Sequence, residues 1–258
     1  MSGAEKTALA VPSSPGFWRG FTGATWRNTL RLSRNSASIV SAFVIPGLFM
    51  LAFWAVFGHA ASSSGFDYAL FLMAACMFQA VLFTAGGSAL ALAVDVESGL
   101  LARMRAMPIN AAVAIGGRLA TDLLRSLASV ITVAVLGLVC GAEPDSWAGA
   151  AAALGVALAM GEVLALLFCG IALRSAQPVQ VANLIQTIEM PLLMLSTAFI
   201  PVETIVKHMP FSPLIDTTRA FLTGSDPGDS GWEALAWIGG GLVLGAFWVS
   251  KAFRRRQA

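Results

Sequence analysis

Residues Asp95–Asp122, DVESGLLARMRAMPINAAVAIGGRLATD, form a charged break between two long apolar runs. The break begins with two acids, passes through Gly99, carries Arg103 and Arg105, and meets a helix-stopping proline at Pro108. Because nearly everything around it is hydrocarbon-like, charges in this stretch are expected to act at a membrane surface. Its shortness and charge predict a docking element rather than a domain.

The composition predicts an all-α membrane protein. Of the 258 residues, 57% are hydrophobic and only 12% are charged, and the mean hydropathy is +0.77. A soluble domain carries about 25% charged residues, whereas a helix that spans a bilayer needs about 20 consecutive apolar residues. Six spans are predicted, at Ser36–Phe57, Tyr68–Val94, Leu123–Cys140, Trp147–Leu173, Pro178–Phe199 and Trp232–Ser250.

The distribution of basic residues predicts the orientation. Lysine and arginine stay on the cytoplasmic side of a membrane. Most of the 16 lie before the first span, in the second-to-third break, in the fourth-to-fifth turn and in the tail. The opposite side carries most of the acids. Both termini are therefore predicted to be cytoplasmic, with residues 1–15 as a flexible tail and residues 251–258 as a basic tail.

Residues Gly16–Asn35 predict an amphipathic helix that lies in the membrane interface. On a helical wheel Arg27, Arg31 and Arg34 share one face, and aromatic and aliphatic side chains occupy the remainder. Apolar bulk opposite arginine suits the headgroup boundary. A plain anchor that fixes the orientation is the alternative interpretation of the same arginines.

The segment Ser196–Gly224 predicts short re-entrant helices before the last span. It mixes apolar residues with Pro201, Pro210 and Pro213, so it is too polar to span and too apolar for a solvated loop. Irregular backbone at membrane depth must be sheltered by protein. We therefore expect this segment to dip into the outer leaflet.

Together, the amphipathic helix, the charged segment after the second span and the proline-broken segment after the fifth resemble the ABC-2 type permeases. These are the membrane subunits of type 2 ABC exporters, and the likeness extends to the daunorubicin-resistance-like drug export permeases of actinobacteria. The family pattern D-x-E-x-G-x-x-x-R-x-x-x-x-P reads here as Asp95, Glu97, Gly99, Arg103 and Pro108.

A second family pattern follows the fifth span. The family's S-G-x-x-F-P, followed by N-P-x-T-x-x-x-x-x-R, is matched by Ser196, Phe199–Pro201 and Ser212–Pro213 through Arg219. Thr197 stands where the family has glycine. The likeness covers essentially residues 17–250, within a membrane domain predicted over residues 16–250.

The resemblance implies a non-catalytic permease subunit that moves lipophilic or amphipathic molecules, such as a drug, an antibiotic or a lipid, out of the cell. It implies two ABC ATPase subunits and a second permease copy or a paralogue as partners. It also implies that the protein lies in the lipid of the plasma (inner) membrane. Nucleic acid is not an expected partner, because the basic residues are not gathered into a groove.

The chain contains no sequence for a nucleotide site. A Walker A loop needs G-x-x-x-x-G-K-[ST] to hold phosphate, and none of Lys6, Lys207 and Lys251 has that setting. No cofactor is therefore expected in this chain, and ATP and Mg would bind to the partner ATPase. The cytosolic residues expected to receive its movement are Asp95, Glu97, Gly99, Arg103, Arg105 and Pro108, with Arg27 and Arg31 of the interfacial helix. The alternative is that these arginines only fix the orientation.

Arg118, Asp122 and Arg125 follow one another at spacings that place them on one face of a helix. A row of opposite charges at the cytosolic boundary is typical of a snorkelling anchor. An inner gate is the second interpretation of these three residues.

Two acids are predicted deep in the bilayer. Glu162 precedes Leu173 by about 11 residues, roughly 16 Å of helix, and Glu189 lies near the middle of the fifth span. A charge at such depth costs several kcal/mol and usually marks a pathway or a functional contact. With the family resemblance, the predicted substrate pathway comprises Gln79, Phe83, Asn183, Gln186, Glu189, Met190, Met194 and Glu162.

Two alternatives remain for these acids. Glu162 and Glu189 are either interhelical hydrogen-bonding groups or the proton carriers of a stand-alone proton-coupled secondary transporter. Such transporters usually contain internal repeats and more spans. An intramembrane enzyme is disfavoured because His59 and His208 lie outside the apolar core.

Overall fold

The computed structural model describes residues 43–62, 67–99, 111–194 and 211–255, and six residues between 22 and 30. All the regular elements in these ranges are helices. The long ones are α1 (Ile45–Ser62), α2 (Tyr68–Glu97), α3 (Ala111–Val139), α4 (Trp147–Arg174), α5 (Pro178–Met194), α6 (Ser212–Leu222) and α7 (Gly228–Arg255).

Helix α2 lies at the centre of the fold. It packs against α1, α3, α4, α5 and α6, whereas α7 lies at the periphery against α4 and α6. Most of the residues of α2 are buried, and many of them are Ala, Gly or Ser. Small side chains let helix backbones approach closely, which is how helices associate in membranes.

Helices α2 and α4 begin at side chains that cap them. The Asp67 carboxylate accepts a hydrogen bond from the Leu70 amide at 2.9 Å, and the Ser146 hydroxyl accepts one from the Gly149 amide at 3.0 Å. Such caps satisfy amides that have no partner within the first turn of a helix. Both residues directly precede an apolar run, and the helices begin at Tyr68 and Trp147, the residues where the second and fourth spans are predicted to begin.

Among the described residues, four helices are long and apolar enough to cross a membrane. They are α2, the Gly117–Val139 part of α3, α4, and the Gly228–Ala252 part of α7. Helix α1 is a shorter apolar helix, and α5 has 17 residues with Pro191 inside it. The all-helical, multi-pass architecture is confirmed, while the count of six spans stays a prediction.

The third predicted span starts too late. Helix α3 begins at Ala111, well before Leu123, and contains Arg118, Asp122 and Arg125. Charge normally marks the end of a span, but Asp122 and Arg125 are buried here and contact other helices. The boundary prediction was wrong because these charges have partners inside the fold.

A short helix, α6, lies in the second part of the predicted re-entrant segment, with Pro213 in its first turn. It packs against α2, α4 and α7. The Arg219 guanidinium carbon lies 3.7 Å from the centre of the Phe71 ring on α2, which is a cation–π contact. Residues 195–210 lie outside the described part of the chain, and the re-entrant fold stays a prediction.

The last helix packs closely against α4 through two glycines. A Cβ atom at Gly241 would overlap Val163, and one at Gly245 would lie 2.8 Å from the Leu166 Cβ. Gly239 and Gly240 have no described atom near their Cβ positions. The G-x-x-x-G spacing at residues 241 and 245 therefore forms the α4–α7 contact.

Candidate functional site

Arg118, Asp122 and Arg125, here called the α3 charge cluster, are held inside the helix bundle. Asp122 is 5% exposed and Arg125 is 6% exposed. The Asp122 carboxylate lies 4.0 Å from the Arg118 Nε and 3.9 Å from the Arg125 Nη2. One acid thus sits between two guanidinium groups, a turn away from each along α3.

The α3 charge cluster binds α2 directly. The Ser88 hydroxyl donates a hydrogen bond to Asp122, and Arg118 donates to both the hydroxyl and the carbonyl oxygen of Ser88. Arg125 donates to the carbonyl oxygen of Thr84, one turn earlier. A buried ion pair needs such additional hydrogen bonds to offset the loss of hydration. The cluster therefore fastens α3 to α2.

Small residues of α2 lie beside this contact. A Cβ atom at Gly87 would lie 3.4 Å from the Arg125 Nη2, an ordinary van der Waals distance. Ser88 and Gly87 are small, so the long arginine side chains can reach the α2 backbone. Sequence reasoning missed Thr84, Gly87 and Ser88, although the run G-G-S in an apolar helix signals a close approach.

Glu162 on α4 lies beside the same cluster. It is close enough to interact electrostatically with Asp122 and Arg125. Among the described atoms, the buried Oε1 of Glu162 and the Nε of Arg125 have no hydrogen-bond partner. Glu162 on α4 therefore lies near the α3 charge cluster, and both keep hydrogen-bonding atoms without a partner among the described residues.

Gln79 of α2 and Glu189 of α5, here called the α2–α5 polar pair, are buried between those two helices. Gln79 is 0% exposed and Glu189 is 4% exposed. Gln79 Nε2 donates a hydrogen bond to the Met190 sulfur at 3.7 Å. Among the described residues, no hydrogen-bond partner exists for Gln79 Oε1 or for either oxygen of Glu189. Both unpartnered groups are acceptors.

Helix α5 approaches α2 at Gly86. A Cβ atom there would lie 2.8 Å from the Glu189 Oε2 and 2.9 Å from the Gln186 Cγ. A side chain at this position would force the Glu189 and Gln186 side chains to shift away from the α2 backbone. Such a close approach places the carboxylate in the interior of the fold.

The predicted pathway residues lie on more than one face. Glu189 points to α2 together with Ala182 and Leu193, whereas Asn183 and Thr187 are exposed on the opposite face of α5. Phe83 and Met194 are half-buried. Glu162 lies with the α3 charge cluster. The structure therefore joins Gln79, Gln186, Glu189 and Met190 at the α2–α5 contact and separates Asn183 and Glu162 from them.

The two acids of the predicted coupling segment make contacts within the chain. Asp95 Oδ2 lies 3.6 Å from the Arg118 Nη1, and Glu97 Oε1 accepts a hydrogen bond from the Val179 amide at 3.1 Å. Gly99 ends α2 in a left-handed conformation with φ +71°, which favours glycine. Arg27, Arg31, Arg103, Arg105 and Pro108 lie outside the described residues.

The described residues of the N-terminal region contact α3 at Thr121. Residues 22–23, 25–26 and 29–30 are helical, and Trp26 and Leu30 are exposed. The Thr121 hydroxyl on α3 donates a hydrogen bond to the Thr25 carbonyl at 3.3 Å. Thr121 adjoins Asp122, so the N-terminal helical segment lies beside the α3 charge cluster.

Comparison with known proteins agrees with this architecture. The model of the family described as "ABC-2 type transporter" matches residues 19–217. The daunorubicin resistance ABC transporter permease protein DrrB1 of Streptomyces coeruleorubidus is 25% identical over 208 residues, covering 78% of this chain and 74% of that protein. The probable doxorubicin resistance ABC transporter permease protein DrrC of Mycobacterium tuberculosis is 25% identical over 271 aligned residues, covering 97% of this chain and 95% of that protein. Because the family match extends over well more than half of a chain built from apolar helices, the protein is a membrane transport protein of the ABC-2 type transporter family.

Proposed function

We propose that this chain is the membrane permease subunit of an ATP-driven exporter of lipophilic and cationic amphipathic molecules. Family membership supports export driven by ATP, and relatives named for daunorubicin and doxorubicin resistance support a drug-like cargo. Antibiotics and lipids fit the same description. The single observation that carries the proposal is the α2–α5 polar pair.

The chemistry of this pair favours a cationic group. Gln79 Oε1 and the two Glu189 oxygens are unpartnered acceptors among the described atoms, and they lie in an otherwise apolar helix interface. A buried acceptor without a donor costs free energy, and a carboxylate within a membrane usually marks a functional contact. A ligand that carries N–H donors and a positive charge would satisfy these atoms, while its apolar part would contact α2 and α5.

Partners complete the proposed machine. ABC-2 permeases work with ABC ATPase subunits, and we propose two of them here, with ATP and Mg bound to the ATPases. The coupling segment Asp95–Pro108, with Arg27 and Arg31, would receive their movement, and the α3 charge cluster would act as the inner gate. A second permease copy or paralogue would cover Asn183 and Thr187, because exposed polar groups on a spanning helix are costly in lipid. The complex would lie in the inner membrane with both termini in the cytoplasm.

ATP-dependent uptake into inverted membrane vesicles that contain the complex, which corresponds to export from the cell, tests the proposal. Glu189→Gln removes the negative charge and keeps the size, so we expect ATP-dependent export of a cationic amphiphile to fall about tenfold, as for a lost charge-assisted contact. Export of a neutral compound of similar size should change little. Glu233→Gln, at an exposed acid near the start of α7, is the matched control.

Three results would count against the proposal. Equal loss of cationic and neutral export in Glu189→Gln would remove the substrate role of Glu189. Copurification of the tagged chain from its host without a Walker-containing ATPase would remove the ATP-driven complex. Transport that continues without ATP and follows a proton gradient would favour a stand-alone secondary transporter that uses Glu162 or Glu189.

A further inference from the structure

The cytosolic end of α2 is tied to two other helices by two acids. Glu97 Oε1 accepts a hydrogen bond from the Val179 amide at the start of α5. Asp95 Oδ2, half a turn earlier on α2, lies 3.6 Å from the Arg118 Nη1 on α3. We call these two contacts the α2-end linkage.

The contact with α5 has a clear physical basis. The first amides of a helix have no partner inside the helix, and Pro178 at the start of α5 has no N–H group. Val179 therefore carries the first amide that needs an acceptor. The Glu97 carboxylate supplies one, and its negative charge also suits the positive end of the α5 dipole.

The contact with α3 leads into the buried cluster. Arg118 pairs with Asp95 and also donates hydrogen bonds to Ser88, whose hydroxyl binds Asp122. Charged groups therefore continue without interruption from the end of α2 to the buried part of α3. The rest of the coupling segment begins at residue 100, so the α2-end linkage directly precedes it in the sequence.

We infer that Asp95 and Glu97 act within the chain, as a linkage that transmits movement of the coupling segment to α3 and α5, and that they are not contacts to the ATPase. The inference rests on the proposed function, in which residues 95–108 receive the ATPase movement. Asp95 and Glu97 are positioning residues in this scheme.

The linkage would affect the proposed substrate site through α5. A helix is stiff, so a displacement at Val179 is carried along α5 towards Glu189, which lies against α2 at Gly86. Because α2 and α5 are joined at Glu97 and Val179, a change in the angle between the two helices at that end would alter their contact at Gln79 and Glu189. Packed helices change between discrete arrangements, and this allows a small shift at one end to alter a distant contact.

Glu97→Ala and Glu97→Gln separate the linkage from a partner contact. We expect Glu97→Ala to keep the ATPase bound in copurification but to lower ATP-dependent export about tenfold or more, as for lost coupling between two sites. Glu97→Gln keeps an acceptor for the Val179 amide and loses only the charge, so export should fall about threefold at most. Glu143→Ala, at an exposed acid on the opposite side, is the matched control.

Two results would overturn the inference. One is loss of ATPase copurification in Glu97→Ala. The other is an export defect in Glu97→Gln as deep as that in Glu97→Ala, since a contact with an ATPase arginine needs the charge. Where the Ala variant does not fold, a fall in export of well over about threefold in Glu97→Gln overturns the inference by itself. Arg103→Ala and Arg105→Ala test the proposed function separately. If the ATPase still copurifies with both variants, the coupling segment is not its contact. The comparison of the two Glu97 variants is unaffected by that result.

Discussion

At the scale of single residues, the buried charged side chains of α3 contact a part of α2 that is built from small residues. Arg125 and Asp122 are each at most 6% exposed, and the α2 groups that bind them are Ser88 and the Thr84 carbonyl. Removing one member of a buried pair leaves the other charge uncompensated, which is costlier than removing both. The two α2 glycines that face charged side chains, Gly86 and Gly87, allow the close approach.

Arg125→Met should destabilise the folded protein by about 3 kcal/mol, because Asp122 and the Thr84 carbonyl lose a buried cationic donor. The measurement is the thermal unfolding midpoint in detergent, followed by size-exclusion chromatography. The double variant Asp122→Asn with Arg125→Met should recover part of the loss. Arg174→Met, at an exposed arginine, should cost less than about 1 kcal/mol. A loss in Arg125→Met no greater than in Arg174→Met would contradict the structural role of the cluster.

Gly86→Ala should separate α2 from α5. The added methyl group would lie 2.8 Å from the Glu189 Oε2, and overpacking of this kind costs about 1–3 kcal/mol. Gly155→Ala is the control, because no described atom lies within 4 Å of its Cβ position and alanine favours a helix. The same unfolding assay, run also on Gly86→Ala with Glu189→Ala, checks the clash. Failure of the second change to relieve any of the loss would show that Glu189 is not the neighbour concerned.

At the scale of helices, sequence patterns predict elements well where no partner helix is needed. The runs Tyr68–Val94 and Trp147–Leu173 correspond closely to α2 and α4, because an uninterrupted apolar stretch after a capping residue is enough to define a spanning helix. The start of α3 was missed because Arg118 looks like a loop charge until its contacts with α2 are known. The internal contact of Glu97 and the burial of Glu189 against Gly86 likewise depend on helices that are distant in sequence.

The α4–α7 contact offers a test at this scale. Gly241→Val should weaken the packing of α7, since even a Cβ atom at residue 241 would overlap Val163 on α4, and the expected cost is about 1–3 kcal/mol. Gly239→Val adds the same side chain to the same helix where no described atom lies within 4 Å. Comparison of the two unfolding midpoints removes the common effect of valine on helix propensity. Equal midpoints would contradict the assigned α4–α7 contact.

At the scale of the whole molecule, the orientation in the membrane decides which surfaces face the cytoplasm. The inner side is predicted to hold both termini, the coupling segment and the start of α5, and the outer side is predicted to hold the α3–α4 and α6–α7 connections. The native cysteines Cys76, Cys140 and Cys169 are all buried. They should therefore contribute little background in cysteine-labelling experiments.

Single cysteines read by a membrane-impermeant maleimide test this orientation. Ala258→Cys should be labelled in inverted vesicles and protected in intact cells, because basic tails stay in the cytoplasm. Ser225→Cys, in the exposed connection between α6 and α7, should show the opposite pattern. The unaltered chain measures the background. Labelling of both cysteines from the same side would contradict the topology.

The charges inside α3 also bear on how the chain enters the membrane during its synthesis. Charged residues within an inserting helix cost free energy, and the spanning part of α3 carries Asp122 and Arg125 close to its start. Their partners, Ser88 and the Thr84 carbonyl, belong to α2, which leaves the ribosome first. Insertion of α3 therefore costs less free energy if α3 leaves the translocon together with α2, as a hairpin. Because α2 is synthesised first, Asp122 and Arg125 then have their partners before they contact lipid.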